Sequence, residues 1–281
     1  MQPTTVKVLP KIAFIGAGNM GSAMLRGLVK KGYAPDNLRA TSLDTQQLAE
    51  LAAATGIVTS TDNLATAAWA DLVVLAVKPQ VMHQVCTQLA ATLQQTQPLV
   101  LSIAAGLTSA TLLEWLGADL PLVRSMPNTP ALLGRGVAGL YATAKVTAEQ
   151  KEWVESLSEA VGQAYWVNSE QELDVVMAIS GSGPAYYFLF TEALAAAGEQ
   201  LGLQPELALQ LAKATAAGSG EMLVQEADSP AELRRKVTSP GGTTEQAIQK
   251  FVEQGLHELV FAAAQAAYCR AAELADELKA V

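Results

Sequence analysis

Cysteine and histidine are scarce in this chain, with two of each in 281 residues. The two thiols, Cys86 and Cys269, lie far apart in sequence, which argues against a disulfide framework and fits a reducing cytosol. His83 and His257 cannot form a histidine-rich metal site, and each reads as an ordinary helix-face residue. Charge is sparse too, at 16% of residues. The net charge of −9 comes without any basic run, so no nucleic-acid partner is expected. No uninterrupted apolar stretch reaches the roughly 18 residues of a spanning helix, so no membrane segment is expected. Residues 1–10 lack the apolar core of a secretory signal. What remains is a cytoplasmic globular protein without a metal. Half of its residues are apolar, enough for a large core in one or two domains.

The chain does contain a regular alternation. Short apolar runs at 12–15, 38–42, 56–59, 72–77, 99–103 and 122–125 read as buried strands. Helical spacing lies between them at 20–31, 45–54, 81–93 and 109–116. From Glu170 onward the period-2 signal disappears. Helical patterns follow at 170–179, 184–200, 205–225, 230–237, 243–253 and 256–278, with Pro205 and Pro230 at helix starts. The expected fold is α/β: an N-terminal Rossmann-type, doubly wound parallel sheet over residues 1–168, then an all-α C-terminal domain over 169–281.

The first strand ends in Ile15-Gly16-Ala17-Gly18-Asn19-Met20-Gly21 and a helix begins there. That is the dinucleotide fingerprint in its required strand–turn–helix setting. Gly16 permits the tight turn, Gly18 admits a pyrophosphate, and Gly21 allows close helix–strand packing. The second strand ends in Ala40-Thr41-Ser42, with Asp44 beyond the tip and Arg39 inside the strand. A carboxylate at the tip would repel a 2′-phosphate, whereas Ser42 can donate to one, so NADPH is favoured and NADH is the alternative. Two further strand ends offer small residues for a cofactor to lie against, Ala76-Val77-Lys78-Pro79 and Ala104-Ala105-Gly106. Lys78, ending a strand before proline, reads as a solvated or structural cation.

Three more segments stand out. Met126-Pro127-Asn128-Thr129-Pro130 reads as a rigid loop, with Asn128 able to bond its own backbone. Ser180-Gly181-Ser182-Gly183-Pro184 precedes a long helix, with Ser182 or Gly183 as its cap and Pro184 in its first turn. Val237-Thr238-Ser239-Pro240-Gly241-Gly242-Thr243-Thr244 joins two helical patterns. There Gly241 and Gly242 bring backbone close to a ligand, and Thr243 and Thr244 open a helix whose free N–H groups favour a small anion.

Taken with the phosphate loop and Ala76-Val77-Lys78-Pro79, these segments in this order resemble the pyrroline-5-carboxylate reductase family along essentially the whole chain, including Arg124-Ser125 and Ala185-Tyr186 at the edges of two motifs. The resemblance implies reduction of L-1-pyrroline-5-carboxylate to L-proline with NAD(P)H. It implies cofactor contacts at residues 15–21, Ser42, Asn63, Ala76 to Pro79 and Ala104 to Gly106. It implies substrate contacts at Glu170, Ser239, Gly241, Gly242, Thr243 and Thr244, with Thr244 hydrogen-bonding the imine nitrogen. Read alone, Glu170 serves equally as a helix-start carboxylate facing the macrodipole. The resemblance also implies a homodimer with interlocked C-terminal helices, in some members assembled into a decamer.

The chemistry suits these residues. The ring carries a carboxylate, which needs an anion site, and a C=N bond basic enough to protonate near neutral pH. No strong general acid is then required. Two rival readings fit less well. A hydroxyacid dehydrogenase of the 6-phosphogluconate type needs a lysine a turn into the helix after its glycine motif, and here none appears before Lys213. A nucleotide-sensing module predicts cofactor binding without turnover, and the polar glycine-rich loop gives it no support.

Overall fold

Lys11 is followed by four apolar residues, and all four are buried, because this strand lies at the centre of a sheet covered on both faces. The computed structural model describes residues 9–279. They divide into two compact units. One comprises the chain up to Gly181 together with the residues from Ala267 onward; the other is Ser182–Ala266.

In the first unit, strands and helices alternate as β1 (Ile12–Ile15), α1 (Asn19–Lys30), β2 (Leu38–Thr41), α2 (Thr45–Thr55), β3 (Val58–Ser60), α3 (Asn63–Ala68), β4 (Leu72–Leu75), α4 (Pro79–Thr96), β5 (Leu99–Ser102), α5 (Ser109–Leu116) and β6 (Leu122–Met126). Then come β7 (Gly136–Ala142), α6 (Ala148–Glu159), β8 (Gly162–Trp166) and α7 (Glu170–Val176), which runs into a π-helical turn at Met177–Gly181. The strand order is β3-β2-β1-β4-β5-β6-β7-β8. The first six strands are parallel and reverse direction of growth between β1 and β4, the crevice where ligands of such sheets lie.

The expectation of a parallel sheet holds except at β7, which pairs antiparallel with β6. The connection between them, 127–135, holds only a short 3₁₀ segment, too little chain for a crossover helix. β8 returns through α6 and pairs parallel to β7.

Alternation along β1 divides the core. Ile12 and Phe14 face a layer built with Met24, Leu25 and Leu28 of α1. Ala13 and Ile15 face the opposite layer with Met82, Cys86, Leu89 and Leu93 of α4. Burial pushes the Cys86 thiol up to about 12, so it behaves as an apolar core residue.

The second unit contains α8 (Gly183–Gln200), α9 (Pro205–Gln225), α10 (Pro230–Lys236), α11 (Thr243–Glu253) and the start of α12 (Leu256–Lys279). Gly198 of α8 lets Ala208 of α9 approach closely. Apolar surface is abundant on this unit: Tyr187, Phe188, Leu189, Leu259, Val260 and Phe261 are all more than half exposed.

Candidate active site

The β1–α1 turn has the geometry of a phosphate cradle. Gly16 sits at φ +104°, and a Cβ there would lie 2.7 Å from the Ala76 carbonyl oxygen, so the turn needs glycine. Gly21 is equally tight, 2.8 Å from the Gly16 carbonyl oxygen. Gly18 differs: a Cβ there would meet nothing within 4 Å. Its open side faces free space, and it is the cap of α1 without any side-chain bond to the first-turn N–H groups. No acidic side chain lies in that first turn, so the N-terminal dipole is left for an external anion.

At the tip of β2, Ser42 is half-buried, and its hydroxyl oxygen accepts the Asp44 N–H at 3.1 Å. Asp44 spends its carboxylate capping α2, accepting the Gln47 N–H at 3.0 Å. Arg39 lies over the Trp69 ring at 4.0 Å. Strand alternation puts it on the other sheet face from Ser42. Asn63 opens α3 and donates to the Gln88 side chain at 3.3 Å. Strand β4 ends at Leu75, so Ala76 and Val77 form a half-buried turn. Lys78 is exposed and makes no side-chain cap of α4.

The loop after β5 carries Ala104, Ala105 and Gly106. Leu278, near the end of α12 and in the same unit, packs against the layer beneath it, and a Cβ on Gly106 would lie 3.1 Å from that leucine. The loop ends at Ser109, where Glu170 takes hold. Glu170 Oε1 accepts the Ser109 N–H at 2.6 Å and an Arg124 Nη1 hydrogen bond at 2.8 Å. Its Oε2 accepts the Ser109 hydroxyl at 3.0 Å. Glu170 was expected among the substrate contacts; both its oxygens are engaged within the protein, at the first residue of α7. Asp174, one turn further along, has its carboxyl pushed up by burial, against the pull of Arg124 and with the push of Glu170.

Asn128 does not bond its own backbone. Its Oδ1 accepts the Val137 N–H at 2.8 Å, and its Nδ2 donates to the Ser180 carbonyl at 2.9 Å. One buried amide thus ties the Met126–Pro130 loop to β7 and to the π turn. The Ser180 hydroxyl donates to the Val176 carbonyl at 3.0 Å. Helix α8 starts at Gly183 with Ser182 as its cap, but without a cap bond from the side chain, and Pro184 lies in its first turn.

In the second unit, Ser239-Pro240-Gly241-Gly242 forms a type II turn. Pro240 takes the second position, Gly241 has φ +71°, and the Gly242 N–H reaches the Ser239 carbonyl at 2.9 Å. Helix α11 begins at Thr243, with Gly242 as cap and no side-chain cap bond. The first backbone bond into the helix is Gln246 N–H to the Gly242 carbonyl, so the N–H groups of Thr243, Thr244 and Glu245 lack an intrahelical partner. The Gly241 N–H is taken by Glu245 Oε2 at 2.7 Å. Thr243 and Thr244 are exposed.

Residues 170–274 match the family profile described as pyrroline-5-carboxylate reductase dimerisation. Residues 11–106 match one described as NADP oxidoreductase, coenzyme F420-dependent. A pyrroline-5-carboxylate reductase of Pseudomonas aeruginosa is 49% identical over 269 residues, covering 96% of this chain and 98% of that protein. The chain belongs to the pyrroline-5-carboxylate reductase family. The fold agrees: a solved pyrroline-5-carboxylate reductase of Coxiella burnetii superposes with a TM-score of 0.91 at 43% identity, over 95% of this chain and 99% of that one. A pyrroline carboxylate reductase of Plasmodium falciparum, solved with NADP bound, superposes with a TM-score of 0.81 at 30% identity, over 95% and 98%.

Within this reductase family chain, sequence reasoning assigned no role to Ser109, Arg124 or Glu245. Arg124 had a visible signal, a lone cation inside an apolar strand, which must find a counter-charge when buried. Ser109 had none, because its bonds depend on which helix ends come together, and Glu245 had none, because its local bond to the Gly241 N–H follows a glycine cap. Among the described residues no group of His, Cys, Asp and Glu is placed to hold a metal, and no helix is long and apolar enough to cross a membrane.

Proposed function

We propose that this chain reduces the C=N bond of L-1-pyrroline-5-carboxylate, giving L-proline in the final step of proline biosynthesis. The observation that carries the reading is the full-length relationship to the Pseudomonas aeruginosa reductase. The open Gly18 at the head of α1 supports a bound dinucleotide, whose pyrophosphate the N–H groups of residues 18–21 would hold. NAD(P)H supplies the hydride. Ser42, Asn63, Ala76 to Pro79 and Ala104 to Gly106 complete the cofactor contacts.

Residues Ser239 to Thr244 bind the substrate. The unpartnered N–H groups at the start of α11 receive its carboxylate. The Thr244 hydroxyl hydrogen-bonds the imine nitrogen and orients it. Positioning of this kind contributes roughly 7–11 kcal/mol of barrier lowering, consistent with a site that has no histidine acid. Glu170 is left out of the substrate contacts, since Ser109 and Arg124 already occupy its oxygens.

NADPH is the preferred cofactor. Ser42 at the β2 tip can donate to a 2′-phosphate, while Asp44 beyond it turns one carboxylate oxygen to the Gln47 N–H at the start of α2. The Plasmodium falciparum relative, solved with NADP bound, supports a nicotinamide dinucleotide at this site. The working form is a homodimer built on the helical region that matches the dimerisation profile.

The test is oxidation of NADPH, and separately NADH, on adding pyrroline-5-carboxylate, with proline identified as product. Turnover with kcat/KM higher for NADPH is expected. Cofactor binding without turnover would sink the reductase reading. Thr244→Ala is expected to lower kcat by about 10²-fold, and an unchanged kcat/KM would remove its role.

A further inference from the structure

We propose that Arg124 and Glu170 are a positioning pair that sets the loop at residues 104–108 against the nicotinamide end of the cofactor, an inference that rests on the reading above. Arg124 is the central residue of β6 and is 6% exposed. Its Nη1 donates to Glu170 Oε1 at 2.8 Å, and Ser109 closes the cluster with two further hydrogen bonds to the same carboxylate. Three elements therefore meet on one side chain: β6, the first residue of α7 and the first residue of α5. Ser109 terminates the loop that follows β5, so the carboxylate fixes that loop at its far end. On its other flank the loop rests on apolar side chains, Leu274 and Leu278 beside Gly106. The loop's other hydrogen bonds are local, Ala104 N–H to the Ser102 hydroxyl and Thr108 to Thr111 and Leu112, so Glu170 supplies the directional attachment from elsewhere in the sheet domain.

The cation has little else to hold it. Arg124 Nε is buried without a hydrogen-bond partner among the described residues. Asp174, the other carboxyl near it, has its charge disfavoured by burial. Removing the Glu170 charge therefore lets Arg124 turn and releases Ser109 with it. The Met126–Pro130 loop, which starts two residues beyond Arg124, is disturbed by the same event. The phosphate cradle at residues 16–21 lies at the ends of other strands and keeps its own anchors. Alignment of the nicotinamide and affinity for the dinucleotide should then separate, which a general loss of stability would not achieve.

Glu170→Gln keeps the side-chain shape and removes the charge. The expected result is an NADPH Kd within about threefold of wild type and a kcat lower by about tenfold or more. The isotope effect on kcat with NADPH deuterated at the transferred position should rise, as hydride transfer becomes limiting. The emission of bound NADPH reads the surroundings of the nicotinamide without turnover, and it should shift. Ser109→Ala deletes one of the bonds and should move kcat, isotope effect and emission in the same direction by less; it decides the matter if Glu170→Gln does not fold. Both variants are measured well below their Tm. Unchanged kcat, isotope effect and emission would overturn the pair's role, as would a large rise in Kd with the isotope effect unchanged. If wild-type protein binds NADPH but does not turn over pyrroline-5-carboxylate, the reductase reading alone fails and the emission shift still judges the pair. Wild-type protein that binds no NADPH overturns both.

Discussion

At the loop proposed to bind the substrate, a single carboxylate would decide how much of the anion site is free. Glu245 folds back over the start of its own helix and takes the Gly241 N–H at 2.7 Å. On the proposed reading, an incoming substrate carboxylate would meet this resident negative charge beside the N–H groups at the start of α11. Glu245→Gln keeps an acceptor for Gly241 and removes that charge. The expected outcome is a KM for pyrroline-5-carboxylate about three- to tenfold lower, with kcat within about twofold, from relief of like-charge repulsion at short range. Steady-state kinetics checks this; a higher KM would mean that the charge serves the loop instead. Glu245 was not legible in the sequence for a specific reason. A capping carboxylate is read from a Ser or Thr cap three residues before it, and here the cap is Gly242, which leaves no such signature. Arg124 was legible as an oddity in its strand, but its partner lies 46 residues away, a pairing that only the packed sheet reveals.

Among the elements, the β1–α1 turn separates two glycine roles that one motif conceals. A methyl at Gly16 would enter the Ala76 carbonyl from a left-handed backbone, whereas one at Gly18 would enter open space. Gly16→Ala is expected to destabilise the protein by about 1–3 kcal/mol or more from backbone strain, read as a lower Tm. Gly18→Ala is expected to leave the Tm unchanged and weaken NADPH binding. A Gly18→Ala protein with wild-type Kd would argue against a pyrophosphate at that point. The central strands were legible as short, wholly apolar runs, and the later helices as long apolar or amphipathic stretches opened by prolines or a glycine turn. Residues 131–168 were not resolved into elements. Strand β7 contains two glycines and a short lead-in, and β8 alternates exposed with half-buried residues at the sheet edge, so neither makes an apolar run. Helix α6 did carry a readable signal, the capping box of Thr147 and Gln150.

For the whole molecule, the notable property is apolar surface. Tyr187, Phe188 and Leu189 follow one another on α8, each about two-thirds exposed, and Leu259 and Phe261 on α12 are similar. A soluble monomer rarely shows so much apolar surface together. Sedimentation at micromolar concentration is expected to give a dimer or a larger closed assembly. Phe188→Asp with Phe261→Asp should shift it towards monomer. A wild-type monomer under those conditions would contradict the homodimer. The sequence announced these helices as apolar on more than one face; it did not say how the chain divides, because the division depends on Ala267 onward belonging with the sheet.

That division has a consequence for how the protein is made. Leu278, which packs beneath the Gly106 loop, leaves the ribosome nearly a hundred residues after Gly181. At cellular rates of synthesis that is a wait of roughly 5–20 s. During it the nascent sheet domain has every strand in hand but lacks the leucine that packs beneath the loop after β5. The helical insert must be fully translated before the earlier domain can be finished, so the last turns of α12 act as its delayed closing stitch.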